Sequence, residues 1–212
     1  MIDQCVKEEV LDTEEGPLYV KRSELTGRSS LIPVVLLHGF SFTSDVWSEI
    51  GLLQALCENG IPFVAPDMPY GMKVKRSFRS RDPGRNIEAL AEALRAVEFS
   101  DVYMVGASLG GYIALRYTVA KDSVRGLTLI APVNSLEESI LSYFKSNPVP
   151  VQVVYGSNDT IVSRSEMEEF ARLVGGELIV YEGAPHPAYL KYPERFIADV
   201  VKHYNRVVSS AT

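Results

Sequence analysis

A serine between small residues is the first group in this sequence that could act on an acyl bond. Ser108 stands in the run Gly106-Ala107-Ser108-Leu109-Gly110, after the apolar stretch Val102 to Val105 and before a helical pattern. Strand, sharp turn and helix are the context in which a G-x-S-x-G sequence presents a nucleophilic hydroxyl, and small neighbours allow strand and helix to approach closely. Taken alone, the pentapeptide could also be a turn that only caps a helix.

The carboxylate that could act with Ser108 is Asp159. It follows the apolar run Val151 to Tyr155, in Gly156-Ser157-Asn158-Asp159. An aspartate at this position could also be a turn former or a helix cap. The other strand end where such an acid commonly stands, after Leu127 to Ile130, carries no carboxylate, so Asp159 is the predicted acid.

A histidine could serve as the base between these two groups, and the sequence has three. His186 lies between Pro185 and Pro187, in a stiffened loop after a predicted strand, and is the predicted general base at neutral pH. His38 follows a predicted strand and is expected to hydrogen-bond to backbone. His203 lies in a polar helical run and is expected on a solvated face.

Short apolar runs alternate with longer amphipathic segments and predict a parallel sheet covered by helices on both faces. The predicted strands are 34–37, 62–65, 102–105, 127–130, 151–155 and 177–181, after an edge hairpin of residues 5–12 and 18–25. The predicted helices are 46–58, 85–98, 109–120, 136–144, 164–174 and 193–208. Ligands on such sheets bind at the carboxyl ends of the strands, where Ser108, Asp159 and His186 all fall.

These motifs, in the chain order Ser, Asp, His, resemble the α/β-hydrolase superfamily. The resemblance implies an α/β-hydrolase fold with a mostly parallel eight-stranded sheet and catalysis by Ser108, Asp159 and His186. It also implies an oxyanion hole formed by the backbone N–H groups of Phe40 and Leu109. Only about 16 residues, Val133 to Pro148, lie where many members insert a lid, so no large cap domain is expected.

The resemblance implies a serine hydrolase, with a carboxylesterase of small acyl esters as the leading prediction. Thioesterases, amidases or deacylases, C–C bond hydrolases and perhydrolases use the same triad and stay open. A protein-interaction module on a hydrolase scaffold is the alternative outside enzymes, since fold alone does not fix function. The pattern predicts no cofactor and no metal, and it leaves any protein partner unknown.

Composition sets the remaining expectations. The 212 residues, with 46% hydrophobic and 23% charged residues, predict one domain over 1–212. A net charge of −6 argues against a nucleic-acid partner, and no apolar run is long enough to span a membrane. Acidic residues near the N-terminus argue against an export signal and predict a cytoplasmic protein. Cys5 and Cys57 are expected to be reduced thiols.

One basic segment stands out in this acidic chain. The basic loop, residues 70–85, carries Lys73, Lys75, Arg76, Arg79, Arg81 and Arg85, and it follows a predicted strand on the side of the candidate triad. A solvated loop with salt bridges to acidic neighbours is the simpler interpretation. The alternative is a patch that favours substrates with an anionic acyl or alcohol group. The runs Val46-Trp47 and Tyr112-Ile113 are expected in the core.

Overall fold

Eight strands form one sheet in the computed structural model, which describes residues 5–24, 31–74 and 77–210. The spatial order of the strands is β1-β2-β4-β3-β5-β6-β7-β8. Their bounds are β1 Val6–Thr13, β2 Gly16–Ser23, β3 Val34–Leu37, β4 Phe63–Pro66, β5 Val102–Ala107, β6 Val124–Ile130, β7 Val151–Gly156 and β8 Glu177–Tyr181. Residues 1–4 of the acidic N-terminal segment, residue 25 of the hairpin, and Lys75 and Arg76 of the basic loop lie outside the described residues.

The six strands from β3 to β8 run parallel, and the hairpin β1–β2 is joined to them antiparallel through β4. Ala107 pairs with Ile130 across β5 and β6, Ile130 with Val154 across β6 and β7, and Gly156 with Tyr181 across β7 and β8. This register brings the carboxyl ends of β5, β6, β7 and β8 to one edge of the sheet. Any chemistry placed after these strands must therefore meet at that edge.

Helices cover both faces of the sheet. Their bounds are α1 Asp45–Glu49, α2 Leu52–Glu58, α3 Pro83–Ala96, α4 Leu109–Ala120, α5 Glu138–Ser146, α6 Arg164–Val174, α7 Ala188–Lys191 and α8 Pro193–Ser210. One core cluster packs α3, α4, α5 and α6 against Val35 and Leu37, and the other packs α1, α2, α7 and α8 against Val34 and Leu36. Strand β3 is apolar at every position because both of its faces are buried.

The predicted eight-stranded, mostly parallel α/β fold is confirmed, and so are the edge hairpin and the burial of Val46, Trp47, Tyr112 and Ile113. The prediction of a single helix over 46–58 is wrong, because the helix is interrupted at Gly51, which has a φ of 82°. A left-handed backbone at that position ends α1 and begins α2. The four-residue helix α7 was also not predicted.

Only α5 lies between β6 and β7 in the described chain, as expected for a hydrolase without a large cap. The basic loop emerges after β4, and its last residues form the first turn of α3, where the Asp82 carboxylate accepts a hydrogen bond from the Arg85 N–H. None of the helices in the described ranges combines the length and apolar character needed to cross a membrane.

The two cysteines form a disulfide, so the expectation of reduced thiols is wrong. Cys5 lies just before β1 and Cys57 near the end of α2, with their Cα atoms 6.2 Å apart. Fifty-two positions separate the two residues along the chain, and only the fold brings them together. Disulfides persist mainly in oxidising compartments, which weighs against the cytoplasmic location predicted from the sequence.

We expect Cys57→Ser to lower the free energy of unfolding by about 4 kcal/mol, since the disulfide closes a long loop in the unfolded chain. Urea titrations under oxidising conditions measure the change. Reduced wild-type protein and the Cys5→Ser variant serve as controls and should unfold with the same free energy as Cys57→Ser. Wild-type stability that does not respond to a reductant would contradict the assignment.

The solvated position predicted for His203 is also wrong. This residue lies on the inner face of α8 and is 5% exposed, and its Nδ1 lies 2.6 Å from the Tyr103 hydroxyl. The Tyr103 hydroxyl also lies 2.5 Å from Thr128 Oγ1, so these side chains form a buried polar chain. Burial, aided by the positive charge of Arg206, lowers the pKa of His203 to about 4.

A histidine held neutral in the fold makes stability depend on pH. Between about pH 6.5 and pH 4 the unfolded state binds the His203 proton and the folded state does not, so stability falls as pH is lowered through this window. We expect a loss of about 2 kcal/mol by pH 4.5 in addition to all other contributions. Urea unfolding from pH 7.5 to 4.5 should show a shallower decline for His203→Gln, and parallel declines would contradict the prediction.

Candidate active site

Ser108 occupies a strained turn between β5 and α4. Its φ of 52° and ψ of −113° lie outside the regions that a serine ordinarily adopts. A Cβ atom on Gly110 would clash with the carbonyl oxygen of Leu37 and lie 2.5 Å from that of His38. A Cβ atom on Gly106 would lie 2.7 Å from the Gly110 carbonyl oxygen. Gly110 therefore allows the first turn of α4 to pack against the end of β3, and Gly106 allows the same turn to pack against β5.

The loop after β3 passes beside the serine. A Cβ atom on Gly39 would lie 3.8 Å from the Cβ atom of Ser108, and Phe40 follows directly. Neither the Phe40 N–H nor the Leu109 N–H donates a hydrogen bond to any of the described residues. Leu109 is the first residue of α4, where helical N–H groups have no partner within the helix. Two backbone donors are thus available next to Ser108, as an oxyanion hole requires.

Asp159 and His186 are in direct contact. The Nδ1 atom of His186 donates a hydrogen bond of 2.6 Å to Oδ2 of Asp159. The other oxygen of this carboxylate accepts from the N–H groups of Ile161 at 2.7 Å and Val162 at 3.0 Å. The Asp159 side chain is fully buried and that of His186 is 17% exposed. Asp159 therefore fixes the ring and puts the single proton of a neutral imidazole on Nδ1.

The two loops that carry this pair are also bonded to each other. The Asn158 N–H donates to the Ala184 carbonyl at 2.9 Å, and the Gly183 N–H donates to Ser157 Oγ at 2.7 Å. The Nε2 atom of His186 is shielded from solvent and has no hydrogen-bond partner among the described residues. The geometry thus leaves a neutral imidazole nitrogen free to accept a proton at the edge of the sheet where Ser108 stands.

His38 has the backbone contacts predicted for it. Its Nδ1 donates to the Gly39 carbonyl at 2.8 Å, and its Nε2 accepts from the Met68 N–H at 3.2 Å. Burial lowers the pKa of His38, and the carbonyl of Gly39 and the charge of Asp67 oppose that effect only in part. A neutral imidazole therefore ties the loop after β3 to the loop after β4.

Two residues that the sequence did not single out complete this support. Asp67 is fully buried after β4 and accepts from the Ser44 N–H at 2.7 Å and the Ser44 hydroxyl at 3.1 Å. Tyr70 is also buried and donates from its hydroxyl to the His38 carbonyl at 2.6 Å. An aspartate directly after a buried strand was the available signal for Asp67. Nothing in the sequence near Tyr70 pointed to its partner, which lies 32 positions away.

An ion pair attaches the basic loop to the same region. Lys73 Nζ lies 2.7 Å from Oδ2 of Asp45 and 3.7 Å from Oδ2 of Asp67. Burial raises the pKa of Asp45, but hydrogen bonds from Lys73 and Lys21 outweigh it and hold that pKa at about 2. This carboxylate is therefore charged throughout the physiological range, and the ion pair fixes the start of the basic loop beside α1.

The sheet is mostly parallel and has eight strands, with a strained turn after β5 and a paired aspartate and histidine after β7 and β8. This combination defines an α/β-hydrolase fold. The family model for the alpha/beta hydrolase family matches residues 34–146. The chain belongs to this family.

Individual relatives and structures agree with this assignment. The chain is 29% identical to the Rattus norvegicus protein named "Putative protein-lysine deacylase ABHD14B", over 88% of this chain and 93% of that one. It is also 29% identical to the Homo sapiens protein ABHD14A, over 85% of this chain and 67% of that one. The crystal structure of a "predicted CIB-like hydrolase" from Thermoplasma acidophilum superposes with a TM-score of 0.81 at 27% identity, covering 93% of this chain and 96% of that one.

Proposed function

We propose that this protein is a serine hydrolase that cleaves acyl esters through a covalent acyl-enzyme. Ser108 is the nucleophile, His186 the general base and Asp159 the carboxylate that orients it. The observation that carries the proposal is the 2.6 Å hydrogen bond from His186 Nδ1 to Asp159, which leaves the buried Nε2 atom as a proton acceptor. An orienting carboxylate on the far side of an imidazole is the arrangement that activates a serine hydroxyl.

In the acylation step, the Ser108 oxygen attacks the carbonyl carbon of the substrate while its proton passes to His186 Nε2. The carbonyl oxygen becomes an oxyanion, which the N–H groups of Phe40 and Leu109 stabilise. Removal of one such donor typically costs about 3 to 4 kcal/mol in the barrier. Asp159 stabilises the imidazolium that forms. The tetrahedral intermediate then collapses, and His186 returns the proton to the leaving alcohol.

Deacylation uses the same groups. The neutral His186 Nε2 takes a proton from water, the hydroxide attacks the acyl carbon, and the oxyanion forms again between the same two N–H groups. Collapse of this second intermediate breaks the bond to Ser108 and returns the proton to its oxygen. The products are a carboxylic acid, an alcohol and the original enzyme.

The substrate class we favour is a small acyl ester, as for a carboxylesterase. Between β6 and β7 the described chain has one nine-residue helix, α5, so no helical domain covers the edge of the sheet that carries Ser108. The short segment between β6 and β7 therefore offers few apolar walls to a long acyl chain. Small or medium acyl groups on good leaving alcohols therefore suit this geometry.

Amide deacylation is the second candidate, and the relative ABHD14B is the observation that favours it. That protein's name refers to deacylation of protein lysine, and its match to this chain extends over 88% of the present sequence. An acyl-lysine amide has a poorer leaving group than an ester, so His186 would have to protonate the departing amine as the C–N bond breaks. The proposed groups are the same, and only the substrate differs.

We expect Ser108→Ala to reduce hydrolysis of para-nitrophenyl esters by more than about a thousandfold, because it removes the nucleophile. Purified protein is assayed with para-nitrophenyl acetate and butyrate, the corresponding thioesters and an acetyl-lysine peptide. The substrate with the highest kcat/KM separates esterase from thioesterase and deacylase. A fluorophosphonate probe should label wild-type protein and leave Ser108→Ala unlabelled.

Ser100→Ala is the matched control, since Ser100 is exposed at the opposite, amino-terminal end of β5. It should keep full activity and labelling. If wild-type protein neither reacted with the probe nor cleaved any of these substrates, an interaction module on a hydrolase scaffold would become the better proposal. If Ser108→Ala kept wild-type activity, the nucleophile would lie elsewhere.

We expect Asp159→Asn to reduce kcat about ten-thousandfold with little change in fold. The asparagine oxygen can still accept from the N–H groups of Ile161 and Val162, but its NH₂ group would face His186 Nδ1. The imidazole would then carry its proton on Nε2 and could not accept one from Ser108. Asp101→Asn, which changes a surface carboxylate paired with Arg125, is the control and should retain wild-type kcat. Equal kcat values for the two variants would refute the assigned role.

A further inference from the structure

Most of the described cations of the basic loop are bound within the structure. Lys73 pairs with Asp45, and Arg79 donates to two backbone carbonyls of the same loop at 3.0 and 3.3 Å. Arg85 forms a salt bridge with Glu15 of the β1–β2 turn. These contacts match the simpler interpretation of the loop, in which its charges serve to hold it against acidic and polar neighbours.

Arg81 differs from these cations. Its guanidinium carbon lies 3.9 Å from the centroid of the Phe40 ring, and the residue is exposed. In the part of the chain that the structure describes, Arg81 forms no ion pair with a carboxylate and its side chain donates no hydrogen bond. Stacking on an aromatic face leaves the N–H edge of a guanidinium free for a planar anion. Arg81 is thus held on the Phe40 ring, and the N–H donors of its guanidinium have no partner among the described residues.

The backbone on both sides of Arg81 is held by buried contacts. The amide of Asn86, which is fully buried, donates to the Ser80 carbonyl at 3.0 Å and to the Asp82 carbonyl at 2.8 Å. The Ser80 N–H donates to the Pro69 carbonyl at 2.9 Å. A buried asparagine that bridges the residues before and after one exposed arginine restricts where that arginine can reach. The loop therefore presents Arg81 at a defined place beside the loop after β3.

That place is next to the proposed oxyanion hole. Phe40 provides both the ring under Arg81 and the backbone N–H proposed to bind the oxyanion, and its neighbour Gly39 approaches Ser108. The guanidinium of Arg81 therefore lies on the side chain of the residue whose N–H is the proposed oxyanion donor, one residue from the glycine that approaches Ser108. The net charge of the chain is −6, so the protein as a whole repels anions. Arg81 is a local positive charge on this protein.

We propose that Arg81 is a specificity-determining residue that binds a carboxylate carried by the substrate. The inference rests on the proposed function and narrows its substrate class to acyl esters with a free carboxylate on either the acyl or the alcohol side. A guanidinium binds a carboxylate through two parallel N–H···O hydrogen bonds, which a neutral ester cannot form. Arg81 touches neither the bond that breaks nor the proton that moves.

Two matched pairs of substrates test the proposal. On the acyl side, mono-para-nitrophenyl glutarate is compared with para-nitrophenyl pentanoate, and on the alcohol side para-acetoxybenzoate is compared with para-acetoxybenzamide. The measured quantity is the ratio of kcat/KM for the anionic to the neutral member of each pair. We expect Arg81→Gln to lower this ratio about tenfold or more in one pair, since a hydrogen bond to a charged group is being lost.

Arg81→Lys keeps the charge without the planar donors and should lower the same ratio by less than Arg81→Gln does. Arg125→Gln is the matched control, because it removes one arginine charge at the amino-terminal end of β6, away from Ser108. Its ratios should equal those of wild type. The pair that responds to Arg81→Gln identifies whether the carboxylate belongs to the acyl or to the alcohol group.

Unchanged ratios in both pairs for Arg81→Gln, with Ser108-dependent hydrolysis intact, would overturn the role of Arg81 and leave the proposed function standing. An equal fall for Arg125→Gln would also overturn it, because a general effect of net charge would then explain the result. Absence of Ser108-dependent hydrolysis of all four esters would overturn the proposed function and this inference with it.

Discussion

The close approach of α4 to the end of β3 is the constraint on which the site depends. The first turn of the helix fits against the carbonyl groups of Leu37 and His38 only because residue 110 has no Cβ atom. This contact sets the sharp turn at Ser108 and brings the Phe40 loop beside it. Buried side chains on both faces of the sheet hold the turn in place, so the strained backbone of Ser108 persists in the folded protein.

Asp159 and His186 belong to a second unit, formed by the loops after β7 and β8. These strands are neighbours in the sheet, so the loops leave it side by side and bond to each other before Asp159 meets His186. The three bonds to the Asp159 carboxylate leave it no freedom to turn away from the imidazole. The position of the proposed base is therefore determined by backbone register and by satisfied buried polar groups.

A third unit supports the loop after β3, which carries Phe40. Asp67 and Tyr70 follow β4, and both reach back to the segment that follows β3. The basic loop continues from them, held at its start by Lys73 and at its end by Asn86. Arg81 lies between these fixed points and stacks on Phe40. The same loop thus supports the backbone of the site and presents a cation at its border.

The sequence alone was sufficient for the features that depend on local pattern. Apolar runs and helical periodicity predicted six strands and most helices, and G-x-S-x-G after a strand predicted the turn at Ser108, because each of these signals lies within a few residues. Helix ends were less exact, as at Gly51, where one positive φ divides a continuous apolar pattern into two helices.

Only the tertiary structure decided the contacts between distant residues. Cys5 and Cys57 lacked any recognisable spacing, and their pairing follows from how α2 packs beside the start of β1. His203 appeared polar in its segment, yet α8 turns it inward to Tyr103, 100 positions away. Six basic residues in the loop looked alike, and folding gave partners to Lys73, Arg79 and Arg85 while placing Arg81 on Phe40. The groups that surround a charged side chain come from distant segments of the chain. The residues next to it in the sequence do not reveal which segments these are.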